Sequence, residues 1–311
     1  MISLHDHAGD YVALRRAVGF KLARTEQLLF KFVDFVEQEG TGHITSEVAV
    51  RWAMLPADAS PTWWANRLCV VRGLARYMVA VDPATEVPPT DVLPRIATGS
   101  ARTTPYLYTA DEVAGLLAAA RSIRSTMAAA TCETIIGLLS VTGMRVGEAL
   151  RLERDDVDLG SALVCVRDSK FDRSRLVPLH DSTVDALNIY TRVRDERFSP
   201  PRSPSFFVSR SGGRLSYHGV NWHFARLVRK TGMQPKSARC RPRLHDFRHA
   251  FACATLEDWY RSGVDIQPLL PLLSTYLGHV DPASTYWYLS GKPELLGLAA
   301  QRLEASMGVL P

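Results

Sequence analysis

Thr142-Gly-Met-Arg-Val-Gly-Glu148 opens an ordered series of charged and titratable residues that decides how this chain is read. The stretch is a turn into a helix, with Arg145 at its start. Further along, Lys170 precedes a basic run from Arg173 to Arg175, His245-Asp-Phe-Arg248 follows, and Leu277-Gly-His279 leads nine positions later to Tyr288. Arg145 and Arg248 are permanently charged planar forks, each able to give two parallel hydrogen bonds to one phosphate. His245 and His279 titrate near neutrality and can donate to a phosphate oxygen or carry a proton. Tyr288 is a phenol that can attack phosphorus and hold it as an ester, and the flexible Lys170 ammonium can protonate a leaving oxygen.

Each piece alone has a bland reading. A Thr-Gly-x-Arg turn is usually a helix start with a surface arginine. Leu277-Gly-His279 reads as a helix end with glycine at its left-handed cap, and a lone Tyr288 as a half-buried core aromatic. Order and spacing tip the balance, because Arg, Lys, His-x-x-Arg, Leu-Gly-His and Tyr follow one another within one domain-length stretch.

In that order the residues resemble the tyrosine recombinase family, also called the phage integrase family. The likeness covers essentially the whole chain, is most specific at residues 142–152, 244–256 and 277–288, and is looser at Lys170. It implies that Arg145 and Arg248 activate the phosphate, that Tyr288 is the nucleophile forming a 3′-phosphotyrosyl link, and that Lys170 is the acid for the 5′-hydroxyl. His245 and His279 become the acid/base and phosphate-orienting pair, with no cofactor and no metal. The implied fold is mainly α with a small β-sheet. A helical core-binding, SAM-like DNA clamp spans residues 1–98, a linker 99–108, and an α+β catalytic domain 109–311. The implied partner is double-stranded DNA at specific recombination sites, bound by a homo-oligomer with a dimer per site, a tetrameric synapse and possible companion recombinases. No membrane is involved, and the expected location is the bacterial cytoplasm, at the nucleoid.

Two departures stand out. Residues 263–278 run longer than the usual short helix before Leu-Gly-His and carry Pro268 and Pro271, and Tyr286 sits two positions before Tyr288. Spacing favours Tyr288. The long 263–278 segment and Trp287 beside the tyrosine resemble recombinases of bacterial mobile elements. Rival readings are a DNA-relaxing enzyme of the type IB topoisomerase class and a catalytically silent DNA-binding protein, whose mark would be loss of one of the six residues. A metal-dependent nuclease would want clustered carboxylates; Asp155, Asp156 and Asp158 cluster, but at a position that reads as a solvated turn.

Composition is consistent with this and decides less. A chain of 311 residues with 46% hydrophobic residues can form two cores without staples. The formal charge of +5 makes a polyanion partner plausible without proving it. Five scattered cysteines, none in a C-x-x-C pair, suit reduced thiols and argue against a zinc knuckle. No run of eighteen apolar residues exists, and Met1-Ile-Ser-Leu-His-Asp lacks the basic-then-apolar plan of a signal peptide.

Outside the motifs, Leu28, Leu29, Phe32, Val33, Phe35 and Val36 recur at helical spacing up to Gly40, and a second helix follows Pro61 with Trp64, Leu68, Val71, Ala75 and Met78 as its stripe. Arg67, Arg72 and Arg76 stand off that stripe, either as a solvated face or, with Arg15, Arg16, Lys21, Arg24 and Lys31, as a surface that grips phosphates. The proline-rich stretches 82–94 and 99–105 read as an extended linker. Thr109 to Glu112 has the form of a capping box. Strands are expected at 162–166, 175–178 and 206–208, and helices at 183–197 and 220–230. The tail from Pro293 is amphipathic through Leu295, Leu298 and Leu303. It either packs on its own domain or, as the resemblance implies, docks into a neighbouring protomer.

Overall fold

Hydroxyl side chains set the starts of the first helices in the computed structural model of the chain, which describes residues 3–93, 104–169, 173–279, 281, 283–290 and 293–306. Ser3 and Asp6 form a reciprocal capping box at α1 (Leu4–Ala17); Thr45 caps α3 (Ser46–Met54), and Ser60 caps α4 (Pro61–Met78), where Pro61 takes the first position. There the missing N–H costs nothing. Between them runs α2 (Ala23–Gln38), whose Leu29, Phe32, Val33 and Val36 are fully buried against Trp52 of α3 and Leu68, Val71 and Leu74 of α4. Each large side chain so buried contributes roughly 1.5–3 kcal/mol.

Two expectations for this region change. Arg67 is neither solvated nor presented to a ligand. Its Cζ lies 3.7 Å from the centroid of the Trp52 ring and its Nη2 donates to the Trp52 carbonyl at 2.7 Å, so Trp52 of α3 covers it. Residues 82–93 are not a free linker. Glu86 donates its N–H to the Ile44 carbonyl and accepts from the Ser46 N–H, while Arg72 donates to the carbonyls of Pro88 and Pro89. Prolines leave carbonyls without local partners, and an arginine fork meets two of them.

Contacts divide the chain into two compact units, Met1–Arg102 and Thr103–Pro311. The second opens with Tyr106 buried and Tyr108 stacked on Phe247 at 4.3 Å, its hydroxyl donating to the Arg243 carbonyl. The expected capping box of Thr109 and Glu112 then starts α5 (Ala110–Arg121), which lies on the apolar α6 (Thr126–Thr142). After α7 (Val146–Arg151) and a 3-10 turn (Arg154–Asp156) comes an antiparallel sheet, order β1-β2-β3, of β1 (Val157–Asp158), β2 (Leu163–Ser169) and β3 (Arg173–Pro178). Val164 pairs with Val177 and Val166 with Arg175.

The third strand expected at 206–208 does not form, and β1 takes its place in the sheet. Phe206 and Phe207 are instead core fillers around the buried Tyr190 of α8 (Asp181–Arg197). Their backbone is satisfied from outside any ladder: the Phe206 N–H donates to the Leu152 carbonyl, Arg194 donates to the Phe206 carbonyl, and the Val208 N–H donates to the Tyr190 hydroxyl. Asp156, expected in a solvated turn, is buried and accepts from the Glu153 N–H.

Helices complete the unit: α9 (Tyr217–Lys230), α10 (Asp246–Arg261), α11 (Leu269–Leu277), α12 (Ala283–Ser290) and α13 (Pro293–Ser306). The prolines of the long 263–278 segment prove compatible with a helix, because Pro268 is the N-cap of α11 and Pro271 falls in its first turn, where no intrahelical N–H is needed. Leu295 of α13 is buried in one cluster with Leu256, Leu273, Leu277 and Tyr288, while Leu296 is exposed. Leu298 is half-buried, and the Leu303 side chain lies outside the described residues. Among the described residues no helix is long and apolar enough to cross a membrane.

Candidate active site

Two left-handed glycines bring the separate motifs together. α6 ends at Gly143 (φ 59°), where a Cβ would meet Phe251 of α10 at 2.6 Å; α11 ends at Gly278 (φ 68°), where a Cβ would meet the Arg175 guanidinium at 2.8 Å. Only glycine adopts both turns at this proximity. The first turn sets Arg145 as the N-cap of α7, and the second releases His279 from the end of α11.

Backbone carbonyls exposed at these turns orient the arginines. Arg248, on the first turn of α10 and 2% exposed, donates from Nη1 to the Gly143 carbonyl at 3.0 Å and from Nη2 to the Leu277 carbonyl at 2.7 Å. Burial, and then the charge of Arg145, pull its pKa down to about 10, which leaves it charged at neutral pH. Arg145 donates from Nη2 to the Gly278 carbonyl at 3.2 Å and from Nη1 to Glu148 Oε1 at 2.7 Å, and its side chain remains 37% exposed. Its own backbone N–H reaches Glu148 Oε2 at 2.9 Å.

Glu148 is buried, and a third arginine meets it. Arg175 of β3, 10% exposed, donates to both Glu148 oxygens, at 3.2 Å and 2.7 Å, and from Nε to the Tyr276 carbonyl at 2.8 Å. Burial alone would raise the carboxyl pKa. Arg175 first and then Arg145 more than offset it and bring it to about 2. Two guanidinium groups therefore share one carboxylate.

Tyr288 stands beside this cluster, 3% exposed, in contrast to Tyr286, which is 54% exposed. Its ring lies 5.9 Å from that of His279 and 5.5 Å from that of His249, which in turn lies 5.1 Å from His245. Burial raises the Tyr288 pKa, and the charge of Arg248 and a hydrogen bond from it act in the opposite direction. His279 Nδ1 and Thr285 Oγ1 are 2.7 Å apart. Loss of water around the imidazoles, together with nearby positive charge, holds His279 and His249 down to about 4; His245, exposed at the start of α10, is also lowered, first by partial desolvation and then by Arg248. All three imidazoles are neutral at pH 7.

Arg145, Arg248, His279 and Tyr288 thus converge, with His245 joined to Tyr288 through His249. Lys170, between β2 and β3 in sequence, lies outside the described residues. The sequence reading missed Glu148, Arg175, His249 and Thr285 as members. Glu148 had a visible signal, an acid three residues after Arg145 at a helix start; Arg175 was read only as part of a basic run.

The phage integrase family matches this chain over residues 107–294. A putative integrase/recombinase of Sinorhizobium fredii, y4rB, is 44% identical over 301 residues, 95% of each chain. Among solved structures, the Tn1549 transposon integrase in complex with transposon right end DNA shares the fold with a TM-score of 0.66 at 16% identity, over 96% of this chain and 98% of that one. A lambda integrase tetramer bound to a Holliday junction gives 0.61 at 18% identity, over 92% and 77%.

Proposed function

The chain belongs to the phage integrase family and is a DNA recombinase, and from that premise we propose that Tyr288 cuts and rejoins DNA strands within the cluster described above. The observation that carries this reading is the pair of guanidinium groups, Arg145 and Arg248, fixed by carbonyls of the two turns that flank the buried Tyr288. The phenol oxygen of Tyr288 attacks the scissile phosphorus and the bond to the 5′-oxygen breaks, leaving a 3′-phosphotyrosyl link and a 5′-hydroxyl. Lys170 supplies the proton to that leaving oxygen. The phenol, protonated at neutral pH, gives its own proton to the neutral imidazole of His249, whose ring lies beside it on the side of His245. A donor preorganised toward the charge of the five-coordinate transition state is worth about 3 to 4 kcal/mol of barrier, and two arginine forks suit its equatorial oxygens. His279 adds a donor from Nε2 in the tautomer in which the Thr285 hydroxyl donates to Nδ1. Attack by a 5′-hydroxyl of a partner strand on the phosphotyrosine completes exchange, with bond count preserved and no nucleotide or metal needed.

The partner is duplex DNA at specific sites, and the working form is an oligomer of this chain, as in the lambda tetramer. The helical unit of residues 1–98 acts as a clamp through exposed Arg24, Lys31 and Arg76. The setting is the bacterial cytoplasm, on mobile DNA. Nicked duplexes cut from the DNA flanking the gene test the reading. In chelator the protein should form a denaturant-resistant complex with them, and strict magnesium dependence or no complex on any flanking fragment would contradict it.

A further inference from the structure

We propose that Arg175 is a positioning residue whose charge occupies Glu148 and thereby keeps the exposed side of the Arg145 guanidinium available to a DNA phosphate; the inference rests on the recombinase site proposed above. Glu148 is a buried carboxylate between two arginines of unequal exposure. Arg175, nearly enclosed, gives it a two-pronged contact and anchors its third nitrogen on the Tyr276 carbonyl. Arg145 gives it a single guanidinium nitrogen and keeps over a third of its side chain open to solvent.

The charges explain the division. A buried carboxylate that lost one cation would draw fully on the other, since an uncompensated buried charge is strongly unfavourable. With Arg175 removed, Glu148 and Arg145 would form a closed neutral pair, and the fork aimed at the phosphate would turn inward. With Arg175 in place, the trio carries one surplus positive charge, located on the member that faces solvent. Arg175 also touches the turn that presents His279, because its guanidinium fills the space a Cβ on Gly278 would need. It touches no reacting atom, and its effect is exerted through Glu148.

A charge cycle separates this role from simple packing. Single-turnover cleavage of a nicked site at saturating DNA is measured for wild type, Arg175→Gln, Arg175→Lys, Glu148→Gln and the double variant Arg175→Gln/Glu148→Gln, with melting temperature and binding of uncut DNA recorded for each. Arg175→Gln should slow cleavage by about tenfold to a hundredfold, the range for a lost charged hydrogen bond, with binding of uncut DNA within a few fold. Adding Glu148→Gln should restore cleavage several-fold above Arg175→Gln alone, because the anion that captures Arg145 has gone. Arg175→Lys, which keeps the charge, should cleave faster than Arg175→Gln, and it remains informative if the glutamine variant is poorly folded. A double variant as slow as or slower than Arg175→Gln, or a folded Arg175→Lys no faster than the glutamine variant, overturns the inference. Absence of a covalent adduct with the wild-type chain itself would instead count against the recombinase site.

Discussion

Arginines of the two units are used in opposite ways. In the first unit Arg67 lies on Trp52, Arg16 forms a two-pronged pair with Glu26, and Arg72 ties residues 88 and 89 to the helices. These hold the unit together, while Arg24, Lys31 and Arg76 stand exposed. In the second unit Arg145 and Arg175 share one carboxylate and Arg248 is held beside Tyr288, with carbonyls steering each fork. The difference teaches that basic residues at similar sequence density can serve folding, grip or chemistry, and that the acceptors already present decide which. An arginine whose partners lie within its own unit stabilises that unit. An arginine cluster with more cations than anions awaits an anion.

The sharpest way to break this contrast is at the nucleophile. Tyr288→Phe should abolish strand cleavage while leaving DNA binding within a few fold, since only the attacking oxygen is lost, whereas Tyr286→Phe should stay active; gel-shift and cleavage assays on one nicked site measure both. Next in size, Arg145→Ala and Arg248→Ala should each slow cleavage by about a hundredfold or more. Lysine should rescue either poorly because a point charge cannot replace a fork, and near-normal lysine variants in single-turnover assays would show that geometry is irrelevant. Deleting residues 1–98 should then reduce duplex affinity and flatten its steep fall with salt, because fewer counterions are displaced. A salt titration in which the remaining segment binds as tightly as the whole chain would deny the first unit any grip.

Much of the second unit was legible because its chemistry is ordered along the chain: a turn, His-x-x-Arg, Leu-Gly-His and a tyrosine at fixed spacing. Helices with hydroxyl caps and apolar stripes were legible for the same local reason. What escaped was long-range. Nothing near Arg175 in sequence says that its fork will meet Glu148, nor that Trp52 will cover Arg67, since each partner lies on another element. The 206–208 segment looked like a strand because its apolar residues suit one, but its hydrogen bonds go to Tyr190, Leu152 and Arg194.

A smaller effect sharpens the comparison through pH. His249 and His279 are held at about 4 in the fold, below the ordinary value near 6.5. Above pH 6.5 both imidazoles are neutral folded or unfolded; as pH falls from there toward about 4 the unfolded chain takes up their protons first, which destabilises the fold. Thermal melts should therefore show stability declining over that window, less so in His249→Gln and His279→Gln, and a curve equally steep in both variants would assign the decline elsewhere. The smallest expected effect lies in the first unit. Arg67→Ala should destabilise it by about 1 to 3 kcal/mol through loss of a buried hydrogen bond and a cation–π contact, while Arg76→Ala should leave melting unchanged and slightly weaken DNA binding.

The central claim is that the buried Tyr288, and not the exposed Tyr286, becomes covalently joined to DNA among these arginines. Trapping the protein on a nicked site from its own flanking DNA, digesting the complex and locating the nucleotide-bearing tyrosine by mass spectrometry tests it directly. The account predicts a 3′-phosphotyrosyl adduct on Tyr288, formed in chelator and absent from Tyr288→Phe. An adduct on Tyr286, or cleavage that persists in Tyr288→Phe, would contradict it.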